Sequence, residues 1–253
     1  MYRGVDYSWY KNVRQPTSLF ARQAQRDFFG AYYHTADYGV VHVADFREVP
    51  GKKTWTWGVA DNGLIWTSLL TDHDGPYNEI QAGRYETQLN YEFMPPHHVE
   101  SWTEYWYPVS GLKGGVLAAG KDLALNIRFV PRAPSSGGVE LDLCSAVPHP
   151  SLMIRGSVGT QLVVRSQVIP VRPLSRIFHF VPVTDLEAKT KLVIDVLDEH
   201  GKTLSHWSAA DPVDDNPDFM PASGAPKPQT PDPAQMTVEE LYLFGTRPGE
   251  RRP

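Results

Sequence analysis

The sequence predicts an all-β protein, because strand patterns recur along the chain and helix signals are scarce. Residues 39–46, 53–58 and 77–82 are short runs rich in β-branched and aromatic side chains, and Pro and Gly separate them. In 53–58, aromatic and Thr side chains alternate strictly, which is typical of a strand with two different faces. The best helix signal is a capping box at 237–240, and it precedes only a short apolar run.

The first 110 residues are predicted to form an aromatic-rich β unit. They contain six of the seven Trp and eleven of the twelve Tyr of the chain. Residues 84–93 alternate between apolar and polar side chains, which predicts a strand with a packed side and a solvated side. One more strand is predicted over 99–109, and a glycine-rich break follows it.

Residues 117–210 are predicted to form an immunoglobulin-like β-sandwich, because short strands recur there at even spacing. These predicted strands are 123–130, 139–144, 161–167, 176–181, 191–198 and 203–208. Residues 211–253 hold nine of the 22 Pro of the chain and are predicted to be an extended linker with a short terminal helix.

The composition excludes several classes of protein. Hydrophobic residues make up 41% of the 253 residues and charged residues 21%, which suits a folded chain with a buried core. The net charge of −5 argues against a general nucleic-acid binder. The chain has no run of eighteen apolar residues and no basic-then-apolar start, so we expect no membrane span, no signal peptide and a cytoplasmic location. The single Cys144 excludes an internal disulfide framework and a cysteine-rich zinc site.

One segment suggests a site for a sugar. Strand geometry puts Tyr77, Glu79 and Gln81 on one face of the predicted strand over 77–82. An aromatic ring can stack on the apolar face of a pyranose, while carboxylate and amide oxygens accept hydrogen bonds from its hydroxyl groups. Glu86 could share this surface. The alternative is a strand whose polar side chains are merely solvated.

Two histidines are candidates for acid–base chemistry. His73 lies between Asp72 and Asp74 in a predicted loop, and a His beside a carboxylate can transfer protons near neutral pH. His42 is close to Asp45 in sequence, but it shares its strand face with apolar residues and also fits a position beside the core. The same groups could ligate a metal, yet we assign no residue to a metal or a cofactor.

Four segments resemble a bacterial family of domains of unknown function, DUF5107. They are residues 42–45, 50–58, 70–83 and 104–108, and the resemblance extends over residues 1 to about 110. Members of this family carry a galactose-mutarotase-like β-supersandwich, often followed by tetratricopeptide repeats. The opening residues resemble the middle of the family's domain, so the resemblance implies a partial supersandwich that lacks N-terminal strands. An exposed sheet edge of that kind predicts a homo-oligomer.

The resemblance implies carbohydrate binding on a concave sheet face. By analogy with aldose epimerases of this fold, Glu79 would be the base and His42 or His73 the acid, whereas a glycosidase would pair Glu79 with Glu86 or Asp74. We therefore assign the catalytic role to Glu79, His73, His42 and Glu86, and substrate binding to Tyr77, Gln81, Trp57, Asp74 and Arg84. A binding module without catalysis, and a non-catalytic interaction domain of a tetratricopeptide-repeat protein, remain alternatives.

Overall fold

A computed structural model describes residues 4–90, 92–133, 136–168, 170–183, 188–211, 220–221, 232–239 and 241–242. The described residues are mostly β-strands arranged in four antiparallel sheets, which confirms the predicted all-β class. In chain order the elements are β1 (Thr17–Phe20), β2 (Phe28–Tyr33), β3 (Tyr38–Val43), β4 (Gly51–Thr56), α1 (Asp61–Leu70), β5 (Asn78–Gly83), β6 (Tyr105–Ser110), β7 (Ala118–Ala119), β8 (Leu123–Ala133), β9 (Ser136–Ser145), β10 (Leu152–Val158), β11 (Gln161–Val168), β12 (Arg176–Val183), α2 (Ala188–Lys191), β13 (Leu192–Leu197), β14 (Thr203–Ser208) and β15 (Met220–Pro221). Among the described residues, Tyr10–Asn12 and Pro233–Gln235 each form a single-turn 3₁₀ helix.

The N-terminal part contains two sheets. One has the strand order β15-β1-β4-β5, in which β15 is contributed by the C-terminal segment, and the other has the order β2-β3-β6. In the described part of the chain β2, β5 and β6 each have a neighbouring strand on one side, so they are sheet edges. Association of two copies through such an edge stays a prediction.

The C-terminal part is a β-sandwich of two four-stranded sheets, β12-β9-β8-β7 and β11-β10-β13-β14. Alternate residues of β8 and β9 point inward and meet the inward side chains of β10 and β13 in one hydrophobic core. Leu125, Leu141, Ile154 and Ile194 lie at its centre, with no exposed surface. The regular alternation explains why the sequence predicts most of these strands correctly.

A second hydrophobic cluster joins the sheet β2-β3-β6 to the outside of this sandwich. Val41 and Tyr107 of that sheet pack against Ala124 of β8 and Cys144 of β9. The backbone N–H of Ser110 also points at the sulfur of Cys144, at 3.4 Å. One face of β2-β3-β6 is therefore covered by the sandwich. On the opposite face Tyr33, Tyr38 and Trp106 are exposed, whereas His42 is buried.

The predicted strand over 84–93 does not form. In the structure β5 ends at Gly83, and residues 84–90 and 92–93 lie in bends, turns and coil. Thr87 and Asn90 account for the difference, because the Thr87 hydroxyl donates to the Asn90 side chain at 2.6 Å and accepts from the backbone N–H of Leu89 at 3.2 Å. Such side-chain bonds favour a turn over a ladder. The predicted strand over 99–109 is likewise shorter, since β6 begins at Tyr105.

Helix α1 and strands β1, β2 and β10 are found where the sequence predicted no element. Within the terminal segment, 238–239 and 241–242 are helical, and the N–H of Leu241 donates to the carbonyl oxygen of Thr237 at 2.9 Å. Most of the predicted linker over 211–253 lies outside the described residues. Among the described helices, none has the length and hydrophobicity that a membrane crossing needs.

Candidate functional site

His42 lies on the face of the sheet β2-β3-β6 that is turned away from the sandwich. The register places it between Phe29 of β2 and Trp106 of β6. Its ring centroid is 5.0 Å from that of Phe29 and 4.7 Å from that of Trp106. Only 1% of His42 is exposed, so the imidazole is packed among rings.

The carboxylate of Glu104 is held by three nitrogen atoms. Its Oε2 lies 3.0 Å from Nε2 of His42 and accepts a hydrogen bond from the indole of Trp106 at 3.3 Å. Its Oε1 accepts from the indole of Trp102 at 2.7 Å. The two indole groups are 43% and 45% exposed, and a quarter of the Glu104 side chain reaches solvent. We call His42, Trp102, Glu104 and Trp106 the Glu104 cluster.

The electrostatics of the Glu104 cluster favour a charged carboxylate and a neutral imidazole. Partial burial alone would raise the pKa of Glu104, but the indole donors of Trp102 and Trp106, together with His42, outweigh it and lower that pKa. Burial lowers the pKa of His42, and the nearby Lys52 ammonium adds to this, although Glu104 opposes it. A neutral His42 that faces a carboxylate donates from Nε2, so its Nδ1 carries a lone pair. That Nδ1 is buried and has no hydrogen-bond partner among the described residues.

The lowered pKa of His42 predicts that folding stability falls as the pH drops from about 7 to 5. The unfolded chain takes up the proton near the ordinary value of 6.5, while the folded chain resists it. The contribution of neutral His42 to folding stability is therefore complete above pH 6.5, and it is lost as the pH falls toward the pKa of His42 in the folded chain. Glu104 acts in a lower window, because its pKa lies below the ordinary 4.5.

Urea midpoints at pH 7 and pH 5 measure this effect. We expect His42→Gln to show a smaller difference between the two midpoints than the wild type. His73→Gln changes an exposed histidine and is the control, which should keep the wild-type difference. Equal pH dependence in wild type and His42→Gln would contradict the assignment.

A second aromatic group lies at the far end of the same sheet face. Tyr33 and Tyr38 are stacked with ring centroids 5.0 Å apart, and both are exposed. Burial of part of the ring raises the pKa of Tyr33, and the neighbouring Tyr38 and Asp74 raise it further. The Asp74 carboxylate therefore lies near the Tyr33 end of the sheet. Tyr38 and His42 are four residues apart in β3, about 13 Å along the strand.

The predicted group on β5 is partly assembled. The hydroxyl of Tyr77 donates to Oε1 of Glu79 at 3.0 Å, as their spacing predicts, and this bond raises the pKa of Tyr77. Glu79 pairs with Trp55 across the sheet, and Gln81 pairs with Lys53. Tyr77, Glu79 and Gln81 are all partly buried, so they border solvent and lie outside the dry core.

The structure does not bring Glu79 and His42 together. Neighbouring residues of a strand point to opposite faces, so Lys52 and Lys53 of β4 point to opposite sides of the sheet. Lys52 is the one near His42, whereas Glu79 and Gln81 share the side of Lys53. The carboxylate beside His42 is therefore Glu104.

Glu86 and Arg84 each have partners of their own. Oε1 of Glu86 accepts a hydrogen bond from the backbone N–H of Gln23 at 2.6 Å, which ties Glu86 to the turn after β1. The guanidinium of Arg84 pairs with Glu92 at 2.9 Å and with Glu100 at 2.5 Å. Glu79 and Glu86 are thus held by different elements.

The remaining predicted residues lie around helix α1. His73 and Asp74 are exposed in the loop that follows this helix, and the N–H of Asp74 donates to the carbonyl oxygen of Thr71 at 2.8 Å. Trp57 packs against Trp66 of α1, with ring centroids 5.0 Å apart. Within the described ranges, no group of three or more His, Cys, Asp or Glu side chains comes together in a way that would hold a metal ion.

Glu104 and its two indole partners were not predicted as a group from the sequence. The sequence did contain a sign of this group. Trp102, Glu104 and Trp106 occupy alternate positions, and alternate residues share one side of an extended chain. The partner His42 is 62 residues away in sequence. Only the pairing of β3 with β6 brings it to the same place.

The fold and the site define an all-β protein in which one sheet packs on a β-sandwich and presents an aromatic face, where a buried His is paired with a partly exposed Glu. Residues 1–109 match the sequence model of a family described as a domain of unknown function (DUF5107). The N-terminal part of the chain therefore carries a DUF5107 domain, which confirms the resemblance over these residues. No solved structure gives a significant match to the chain.

Proposed function

We propose that the DUF5107 domain binds a neutral carbohydrate at the Glu104 cluster, on the face of the sheet β2-β3-β6 that is turned away from the sandwich. The observation that carries this proposal is a charged carboxylate fixed between two exposed indole rings. Indole rings offer flat apolar surfaces to the C–H face of a pyranose. A carboxylate accepts hydrogen bonds from hydroxyl groups, and Glu104 retains capacity beyond its three present donors.

The arrangement supports a neutral sugar over an acidic one, because the charged Glu104 carboxylate would repel a second negative charge. The Glu104 carboxylate already accepts from three N–H groups. One further hydroxyl donor of the sugar completes its hydrogen bonding.

The same arrangement supports binding in preference to hydrolysis at this position. A glycosidase needs a carboxylic acid with a raised pKa to protonate the leaving group. The pKa of Glu104 is lowered, and His42 is buried and turned toward Glu104, away from any ligand in solvent. The catalytic roles predicted from the sequence for Glu79 and His73 concern other positions, and an assay of sugar turnover tests them separately.

A glycan array of neutral and acidic oligosaccharides, followed by calorimetry on the best neutral ligand, tests the proposal. Glu104→Gln removes a charged acceptor, and hydrogen bonds to charged groups contribute about 1.5–3 kcal/mol, so we expect the affinity to fall by about tenfold to a hundredfold. Trp106→Ala removes a stacking surface and should weaken binding in the same direction.

Two variants serve as controls. Trp9→Ala removes an indole of similar exposure (43%) elsewhere in the domain, and it should leave the affinity unchanged. Glu79→Gln removes the carboxylate on the other side of β4. If Glu79→Gln abolishes binding while Glu104→Gln preserves it, the location is wrong. If the wild type binds no oligosaccharide, the proposed function itself is wrong.

A further inference from the structure

Helix α1 turns its large apolar side chains outward. A helix on a globular protein normally buries its apolar stripe, yet Leu64, Ile65, Leu69 and Leu70 are between 46% and 61% exposed. The residue that α1 buries is Gly63. Because a turn takes 3.6 residues, Leu64, Ile65 and Leu69 lie on one side of the helix. We call these three residues the α1 face.

Carboxylates border the α1 face at both ends. Asp61 lies at the start of the helix on the same side, and Asp72 and Asp74 follow its last turn; all three are exposed. The sequence contains no Lys or Arg between Lys53 and Arg84. Carboxylates thus lie at both ends of the α1 face, and no Lys or Arg close to it in the sequence offsets their charge.

We propose that the α1 face docks an amphipathic helix of a partner protein, whose apolar stripe is flanked by Lys or Arg side chains. The partner's Leu-type side chains would pack on Leu64, Ile65 and Leu69, in the manner of helix recognition at i, i+3, i+4 and i+7. Its basic side chains would face Asp61, Asp72 and Asp74. The ten residues of α1 span about 15 Å, which suits two or three turns of a partner helix. This proposal does not rest on carbohydrate binding.

The bordering carboxylates also argue against two other occupants. A second copy of this chain would bring the same carboxylates against its own, and like charges across an interface are unfavourable. An anionic membrane surface would repel them as well. A basic helix is the occupant that satisfies both the apolar surface and the charge.

A labelled amphipathic peptide of Leu and Lys serves as the probe, with fluorescence anisotropy on the full chain as the measurement. A second peptide keeps the Leu positions and carries Glu in place of Lys. We expect the Leu/Lys peptide to bind at least about tenfold more tightly than the Leu/Glu peptide, and the double variant Ile65→Gln, Leu69→Gln to lose about tenfold or more. The variant Asp61→Asn, Asp72→Asn, Asp74→Asn should bind more weakly and depend less on salt.

The control is Leu162→Gln, which changes a side chain of similar exposure (53%) on β11 of the sandwich and should bind like the wild type. Far-UV circular dichroism verifies that each variant is folded. The proposal would be overturned by equal peptide affinity for wild type and the double Gln variant, by equal affinity for the two peptides, or by self-association that the double variant abolishes. Adsorption to phosphatidylglycerol vesicles that the double variant removes would equally contradict it, since the surface would then bind lipid.

Discussion

Tyr107→Ala is expected to lower the free energy of unfolding by about 3–5 kcal/mol, the usual effect of truncating a large buried aromatic side chain. Tyr107 is only 7% exposed, and it packs in the cluster that joins the sheet β2-β3-β6 to the sandwich. Its hydroxyl also donates to the carbonyl oxygen of Gly120 at 2.6 Å. The substitution therefore leaves a cavity at this junction and removes a hydrogen bond.

Urea unfolding followed by tryptophan fluorescence measures this effect, because six of the seven Trp lie in the first 110 residues. Tyr105→Ala is the matched control, since Tyr105 lies on the same strand but is 41% exposed, and its loss should cost no more than about 0.5 kcal/mol. Tyr107→Phe keeps the ring and should cost about 1 kcal/mol. Similar unfolding free energies for Tyr107→Ala and Tyr105→Ala would show that the junction does not stabilise the fold.

Gly63→Ala is expected to destabilise the protein by about 1–3 kcal/mol, the cost of forcing an extra methyl group into a tightly packed position. Helix propensity alone predicts the opposite, a gain of about 1 kcal/mol. A methyl group on Gly63 would overlap the carbonyl oxygens of Trp57 and Gly58, so α1 would have to move away from the end of β4. Steric overlap with backbone outweighs the propensity.

Thermal unfolding distinguishes the two effects. Asn62 is next to Gly63 in the same helix, but it is exposed. Asn62→Ala should therefore change only the helix propensity and raise the free energy of unfolding by up to about 0.7 kcal/mol. We expect the melting temperature to rise for Asn62→Ala and to fall for Gly63→Ala. A rise for both variants would mean that α1 is not packed as closely as the structure places it.

Local patterns predicted the strands that carry large apolar residues at every second position. The sandwich strands β8, β9, β12 and β13 each point such residues into the core between the two sheets, and this alternation is visible in the sequence. The strand expected over 84–93 alternates in the same way but forms turns, because Thr87 and Asn90 bond to nearby backbone and side-chain groups. Helix α1 was not predicted, because no side chain caps its start and Gly63 lowers the helix propensity of its first turn.

In the candidate site, too, some contacts follow from local spacing in the sequence and others from the pairing of distant strands. Tyr77 and Glu79 are two residues apart, so strand geometry alone predicts their contact. The bond between His42 and Glu104 depends on the register of β3 with β6, which residue spacing does not reveal.

The sequence alone therefore determined the all-β class, the DUF5107 resemblance of the N-terminal part and the pairing of Tyr77 with Glu79. These features depend on side chains that are near one another along the chain. Only the tertiary structure decided that Glu104 accompanies His42, that Glu79 lies on the other side of β4 and that α1 presents apolar side chains to solvent. Each of these depends on how distant strands align and pack, and packing free energy is a property of the assembled sheets.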